Sequence, residues 1–130
     1  MIFDTCFLID LMDNNGNACE KLLEIERKRT TQKIPTVAIF ELFSGAGRCN
    51  NIEAEKSKIV QSYNQMLIVG FNERSAKISG ELFGKSIKKG RTLGITDCMI
   101  AGIALDNNEA ILTRNIKHFE SIEGLKIETY

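Results

Sequence analysis

The chain has 130 residues, 43% of them hydrophobic and 26% charged, which is the balance of one globular domain spanning residues 1–130. Its 17 basic and 17 acidic residues give a formal net charge of zero, which argues against a protein that holds nucleic acid or anionic membrane by bulk charge. The single His excludes a His-rich zinc site, and no apolar run approaches the ~20 residues of a membrane-spanning helix.

The first third of the chain predicts strands alternating with helices. A short apolar run at 1–3 predicts a buried strand, and a helix over 5–12 would follow it directly. Apolar residues at helical spacing predict a second helix from about 17 to 29. Lys33–Pro35 is a weaker strand candidate, after which proline can begin the next helix over 36–47.

The middle of the chain continues this alternation. Apolar residues at helical spacing predict helices over 52–66 and 76–87. Between them, the segment LIVGF at 67–71 predicts a buried parallel strand.

The last third supplies the most apolar helix of the chain. Residues 97–105 are apolar nearly all round and predict a central buried helix. A strand at 110–112 and a weaker strand candidate at 125–127 follow it. The whole pattern predicts an α/β three-layer sandwich, with a central parallel sheet flanked by helices and a binding crevice at the carboxyl ends of the strands.

Three acids lie where this fold would bring them to the crevice. Asp4 directly follows the first strand, although it could equally be the N-cap of the next helix. Asp97 lies in the first turn of the buried helix, where an acid also gains from the helix dipole and where Thr96 would be the N-cap. Glu41 has apolar neighbours, so it lies either on an exposed face or within the site.

The segment after the 110–112 strand offers further polar groups. Thr113 and Asn115 carry oxygen atoms, and Arg114 and Lys117 carry positive charge. The alternative is a simple turn in which Asn115 is a capping residue. A lone histidine is more often structural than catalytic, so His118 is not expected to act directly.

Three carboxylates that converge on one crevice repel each other unless a cation lies between them. Hard oxygen ligands select Mg²⁺ or Mn²⁺. Such an ion can activate water and stabilise an in-line phosphoryl transition state, which is what many nucleases need.

Four sequence segments, in this order, resemble the PIN-domain ribonucleases, in particular the VapC-type toxins of toxin–antitoxin pairs. They are IFDTCFLIDL, TVAIFELFSG, LGITDCMIAGIAL and ILTRNIKHFESIEGL, and together they span essentially the whole chain. The resemblance implies a parallel sheet between helices and an acidic pocket with one or two Mg²⁺ or Mn²⁺ ions that hydrolyses RNA. It also implies an antitoxin protein as partner and a homodimer.

The resemblance assigns roles residue by residue. Asp4, Glu41 and Asp97 match the first three acids of the family, which bind metal and act in catalysis, and Thr5 follows the first acid as a Ser or Thr usually does. The fourth acidic position is Asn115, which keeps an oxygen but lacks the charge, so a second metal ion would bind more weakly. We expect Asn115 to have a catalytic role by positioning water or a phosphate oxygen.

Several polar and basic residues are candidates for substrate contacts. Thr5, Thr113, Arg114 and Lys117 are the predicted substrate-binding residues at the pocket. A basic cluster just before Asp97 either contacts phosphates or is a solvated helix end, and consists of Lys85, Lys88, Lys89 and Arg91.

Three further predictions concern Asp10, the cysteines and the cellular location. Asp10 is either at the edge of the pocket or a solvated helix residue. The four cysteines fit no metal-binding pair, so they are expected to be reduced and mostly buried. The first residues lack the features of a signal peptide, which favours a cytoplasmic protein without membrane contact.

Three other functions remain open on the sequence alone. A non-catalytic RNA-binding or partner-binding protein of the same fold would be inactivated by Asn115. A metal-dependent phosphatase or phosphotransferase would use Asp4 as its nucleophile, although Cys6 stands where a second acid would favour it. A small α/β interaction protein would use its acids only as helix caps.

Overall fold

Five short strands form the centre of a computed structural model of the chain, which describes residues 1–90 and 93–130. They are β1 (Ile2–Phe3), β2 (Lys33–Pro35), β3 (Leu67–Val69), β4 (Ile111–Leu112) and β5 (Ile127–Glu128). The seven helices of the described residues are α1 (Thr5–Met12), α2 (Gly16–Arg27), α3 (Thr36–Ala46), α4 (Ile52–Tyr63), α5 (Glu73–Lys88), α6 (Ile95–Asp106) and α7 (Ile116–Phe119).

The strands pair in the order β3-β2-β1-β4-β5, and every pair is parallel. β1 and β4 are in register through Ile2 with Ile111 and Phe3 with Leu112. This arrangement confirms the predicted α/β fold with a central parallel sheet. The carboxyl ends of the strands consequently open on one edge, which is where a binding crevice forms in such folds.

The alternation of side chains along the central strands creates two separate hydrophobic cores. Phe3 and Leu112 pack into a core with the apolar faces of α1 to α4. Ile2 and Ile111 point to the opposite face, where they pack with α6 and with Phe119 of α7. The sheet is therefore covered on both faces, as the three-layer prediction requires.

α5 covers α6 partly through small and polar side chains. Its buried residues are Ser75, Ser79 and Ser86. A Cβ atom added to Gly102 of α6 would lie 2.0 Å from the Ser79 Oγ and 2.7 Å from the Ser75 carbonyl oxygen. The two helices can approach this closely only because residue 102 has no side chain.

Two details of the sequence prediction are wrong, and a third, on the cysteines, holds only in part. The 67–71 segment is an edge strand rather than a buried one, because Leu67 and Ile68 are both 58% exposed. The N-cap of α6 is Gly94, which precedes the predicted cap Thr96 by two residues. Cys49 is exposed, whereas Cys6 and Cys98 are buried and all four cysteines are free.

No helix among the described residues is both long and apolar enough to cross a membrane.

Candidate active site

A pocket of about 560 Å³ contains the acids that the sequence singled out. Asp4, Glu41 and Asp97 all line it, together with Asn115, Arg114 and His118. These residues come from the end of β1, from α3, from the first turn of α6 and from the segment after β4. The fold thus gathers side chains that are up to 114 positions apart, as from Asp4 to His118, in one place.

Asp4 is both the N-cap of α1 and part of the pocket wall. Its Oδ1 accepts a hydrogen bond from the Thr5 backbone N–H at 2.7 Å, which satisfies one helix N-terminal donor. Its Oδ2 accepts from the Thr113 hydroxyl at 2.7 Å and lies 3.1 Å from the Cys6 Sγ. The carboxylate is 5% exposed and is therefore fixed in one orientation.

Glu41 is held by the residue that follows Asp4. The Thr5 hydroxyl donates a hydrogen bond to the Glu41 Oε2. Because Thr5 begins α1 and Glu41 lies in the middle of α3, this contact ties the two helices together at the pocket. Glu41 is half-buried and does not lie on an outer helix face.

Asp97 has a carboxyl whose pKa is raised mainly by burial and further by neighbouring acids. Burial raises the pKa of the Asp97 carboxyl, the neighbouring His118 lowers it, and the negative charges of Asp4 and Glu41 raise it again, with a net upward shift. Its Oδ2 lies 3.0 Å from the His118 Nδ1. Asp4 and Glu41 are therefore close enough to Asp97 to disfavour its ionised form.

Access to the pocket differs among Thr113, Lys117 and Asn115. Thr113 is fully buried, so its hydroxyl is a partner of Asp4 and not an open contact for substrate. Asn115 is the N-cap residue of α7, but its side chain makes no capping hydrogen bond and its backbone N–H donates to Thr113. Lys117 is exposed and lines a smaller neighbouring cavity together with Arg114.

The predicted basic cluster lies apart from the acids. Lys85 and Lys89 line a second cavity with Ser121 and Glu123, and neither lysine lines the acidic pocket. Arg91 falls outside the described residues. A phosphate contact by the lysines would thus require a ligand that extends beyond the pocket.

The donor set of the pocket fits a hard divalent cation. Five carboxylates line it, those of Asp4, Glu41, Asp97, Asp13 and Glu55, together with the Asn115 amide oxygen. Carboxylate and amide oxygens are the ligand types that Mg²⁺ and Mn²⁺ prefer. Burial is the largest cause of the raised pKa of Asp97, and the negative charges of Asp4 and Glu41 add to it, so a bound cation would favour the ionised carboxyl. Among residues 1–90 and 93–130, no three His, Cys, Asp or Glu side chains already form a metal cluster, and the Asp4, Glu41 and Asp97 carboxylates are each turned toward their own partner.

The sequence did not predict two contacts, one in the pocket and one beside it. His118 contacts Asp97, although a lone histidine gave no signal for that role. Asp10 is buried and pairs with Arg114, so its prediction as a solvated helix residue is wrong. The only available hint for Asp10 was its position on the apolar helix α1, where a buried carboxylate requires a partner.

A parallel α/β sandwich with acids from three elements at the carboxyl edge of its sheet defines a class of α/β protein with an acidic pocket of oxygen ligands at its binding crevice. The sequence matches the PIN domain family over residues 1–125. The chain belongs to the PIN-domain family, as its sequence segments had indicated.

Relatives and a solved structure agree with this assignment. Ribonuclease VapC1 of Rickettsia felis is 32% identical over 104 residues, covering 74% of each chain. Ribonuclease VapC2 of Rickettsia felis is 26% identical over 129 residues, covering 99% of this chain and 96% of the relative. The structure of VapBC2 from Rickettsia felis, bound to a promoter DNA fragment, superposes with a TM-score of 0.88 at 26% identity, covering 100% of this chain and 99% of that one.

Proposed function

We propose that this protein is the endoribonuclease toxin of a VapBC-type toxin–antitoxin pair. It hydrolyses RNA phosphodiester bonds with Mg²⁺ or Mn²⁺ held by Asp4, Glu41 and Asp97. The observation that carries the proposal is the convergence of these three carboxylates on one pocket of a PIN-domain protein. The VapC ribonucleases among its relatives support the RNA substrate.

The neighbouring residues keep the three acids in place. The Thr113 hydroxyl orients Asp4, the Thr5 hydroxyl orients Glu41, and the His118 imidazole orients Asp97. Such fixed partners reduce the reorganisation needed when a ligand binds. When bound, the divalent ion supplies an activated water and stabilises the charge that develops on the phosphoryl group.

The decisive variant for this function is Asp97→Asn. It removes one charge from the acid set while keeping the shape of the side chain, so we expect loss of RNA cleavage by at least about 100-fold. Cleavage of a labelled RNA by purified protein is measured with Mg²⁺ or Mn²⁺, then with EDTA, and again after the metal is restored. Asp106→Asn is the matched control, because it makes the same change at the other end of α6.

A second readout of the same variant is independent of activity. Mn²⁺ should raise the melting temperature of the wild type, because a ligand that binds only the folded state stabilises it. The shift should be lost in Asp97→Asn and retained in Asp106→Asn. Full cleavage by Asp97→Asn, or an equal melting shift in all three proteins, would contradict the assigned metal site.

Position 115 is where one more negative charge can be added to the proposed metal site. Because its side chain makes no capping bond and lines the pocket, Asn115→Asp should add a fourth acid at the family position. We expect Mn²⁺ to bind about tenfold more tightly, measured by calorimetry, since one added charge contact is worth roughly 1.4 kcal/mol or more. Unchanged affinity would mean that position 115 does not contact the ion.

A wild type that binds RNA but never cleaves it would favour the non-catalytic alternative.

The partners follow from the same assignment. We propose a VapB-type antitoxin as partner, supported by the VapBC complex to which this chain is similar. A homodimer and a cytoplasmic location are proposed from the resemblance of the sequence to VapC-type toxins. An apolar surface cavity lined by Phe40, Phe71, Ile95 and Met99 offers surface for such contacts, with Phe40 and Ile95 largely exposed. Light scattering of the purified chain should give twice the monomer mass.

A further inference from the structure

Asp10 is a buried carboxylate that the proposed metal site does not use. It lies on α1 and is 6% exposed. The Arg114 Nη1 donates to both of its oxygens, at 2.5 Å to Oδ1 and 2.7 Å to Oδ2. The Tyr130 hydroxyl donates to its Oδ2 at 2.7 Å. A carboxylate with this many donors is well compensated for its burial.

The guanidinium of Arg114 is anchored at one nitrogen only. Its side chain is 51% exposed and lines the acidic pocket. No acceptor among the described residues contacts its Nε or Nη2. These donors are therefore available to a ligand in the pocket, and guanidinium groups bind phosphate oxygens well.

If Asp10 did not hold the Arg114 guanidinium, that group could pair with the acids of the pocket instead. Asp4, Glu41 and Asp97 line the same pocket, and their negative charges attract a mobile guanidinium. Asp10 provides a separate carboxylate that holds Arg114 elsewhere. Tyr130 fixes that carboxylate in turn, because its ring packs edge-on against the fully buried Phe7 with the ring centroids 4.9 Å apart.

We propose that Asp10, oriented by Tyr130, is a positioning residue that holds the Arg114 guanidinium in place to contact a phosphate of the RNA. The proposal rests on the proposed ribonuclease function. It adds a specific role to an ion pair that would otherwise only stabilise the fold.

Steady-state kinetics on a short RNA test the proposal through a double-mutant cycle. Arg114→Ala should raise KM about tenfold with little change in kcat, because it removes one charge-assisted phosphate contact. Asp10→Asn should raise KM in the same direction but less, since the arginine remains but is no longer held. The double variant should match Arg114→Ala alone, because Asp10 acts only through Arg114.

Two matched variants separate positioning from general effects of charge and stability. Arg74→Ala also removes an arginine that pairs with a buried carboxylate, Asp106, but this pair does not line the pocket. It should leave KM unchanged. Tyr130→Phe removes only the hydroxyl donor and should raise KM less than Asp10→Asn does.

Chemical rescue with free guanidinium distinguishes a positioning role from a purely structural ion pair, because only a positioning role predicts that KM recovers. Low millimolar guanidinium should restore the KM of Arg114→Ala, because Asp10 can bind the free cation where the side chain was. It should fail in the Asp10→Asn/Arg114→Ala double variant. Melting temperatures of all variants, measured in parallel, show that each protein compared is folded.

Binding of a fluorescein-labelled RNA in EDTA distinguishes failure of this proposal from failure of the nuclease assignment. The wild type could bind RNA without cleaving it, while Arg114→Ala and Asp10→Asn weaken binding non-additively. That result would reject the proposed nuclease function and support the positioning role of Asp10. If the wild type cleaves RNA but the two variants keep its KM, or their effects add, the positioning role is overturned. A wild type that neither binds nor cleaves RNA would overturn both.

Discussion

The position of the Asp97 carboxylate depends on the absence of a side chain at Gly94. A Cβ atom at residue 94 would lie 2.6 Å from the Asp97 Oδ2. The backbone φ of Gly94 is −60°, which any residue can adopt, so Gly94→Ala should fold and push the carboxylate aside. We expect roughly 100-fold less metal-dependent RNA cleavage, because a shift of about 1 Å in a catalytic group has effects of that size.

The control for this change is Gly80→Ala, since nothing lies within 4 Å of a Cβ added there. It should keep full activity and gain up to about 1 kcal/mol in unfolding free energy, because alanine favours the helix. Equal activity in Gly94→Ala and wild type would show that the Asp97 carboxylate need not occupy its observed position.

At the residue scale, the sequence predicted which acids would meet but not their partners. Asp4 and Asp97 were predictable because each lies next to an element whose direction in a parallel α/β fold is known. The contact of His118 with Asp97, and that of Tyr130 with Asp10, join residues far apart in sequence through side-chain packing. No local pattern encodes such pairs, because they depend on how α1, α6 and the segments after β4 and β5 are placed in three dimensions.

At the element scale, the contact between α5 and α6 is sensitive to a single methyl group. Gly102→Ala would place a Cβ 2.7 Å from the Ser75 carbonyl oxygen, which is backbone and cannot rotate away. We expect unfolding free energy to fall by about 2–3 kcal/mol, at the upper end of the usual cost of overpacking. Urea unfolding followed by circular dichroism measures the change. An unchanged midpoint would mean that the two helices separate without cost.

Ser79→Ala offers an internal check on this explanation. It removes the hydroxyl nearest to the added Cβ, at 2.0 Å, and should restore part of the stability when combined with Gly102→Ala. The restoration should be incomplete, because the Ser75 carbonyl oxygen remains.

The same contact shows why hydrophobic periodicity placed α5 correctly and yet described its buried face only in part. Leu82 packs against the core that α6 forms, as its spacing suggests, but Ile87 is 58% exposed. Ser75 and Ser79 are buried instead, where the Ser79 hydroxyl donates to the Ser75 carbonyl at 2.7 Å. A serine that satisfies its own hydrogen bond within the helix is small enough for close packing, which a hydrophobicity pattern cannot reveal.

At the scale of the whole molecule, the residues proposed to cleave RNA and a set of ion pairs that stabilises the fold lie at opposite edges of the sheet. The acidic pocket lies at the carboxyl edge. At the amino edge, Glu109 pairs with Lys33 and with the amino group of Met1, next to the starts of β4, β2 and β1. Substitutions at the two edges should therefore have separable effects on unfolding and on RNA cleavage.

Glu109 provides the pH-dependent test of this separation. Burial raises the pKa of its carboxyl, but the hydrogen bonds from Lys33 and the Met1 amino group outweigh burial and hold the pKa below its usual value. A lowered pKa in the folded state stabilises the protein above the unfolded pKa of about 4.3, and this stabilisation is lost as the pH falls through the folded pKa. Glu109→Gln should therefore cost about 1 kcal/mol at neutral pH and progressively less in acid.

Chemical unfolding of wild type and Glu109→Gln at a series of pH values measures the difference. The exposed Glu81→Gln is the control, and it should show no comparable pH-dependent loss. RNA cleavage per folded molecule should be unchanged in Glu109→Gln, since no contact joins this ion pair to the pocket acids within the described residues. Reduced cleavage in fully folded Glu109→Gln would mean that the amino edge of the sheet also positions the acids, because β1 and β4 connect the two edges directly.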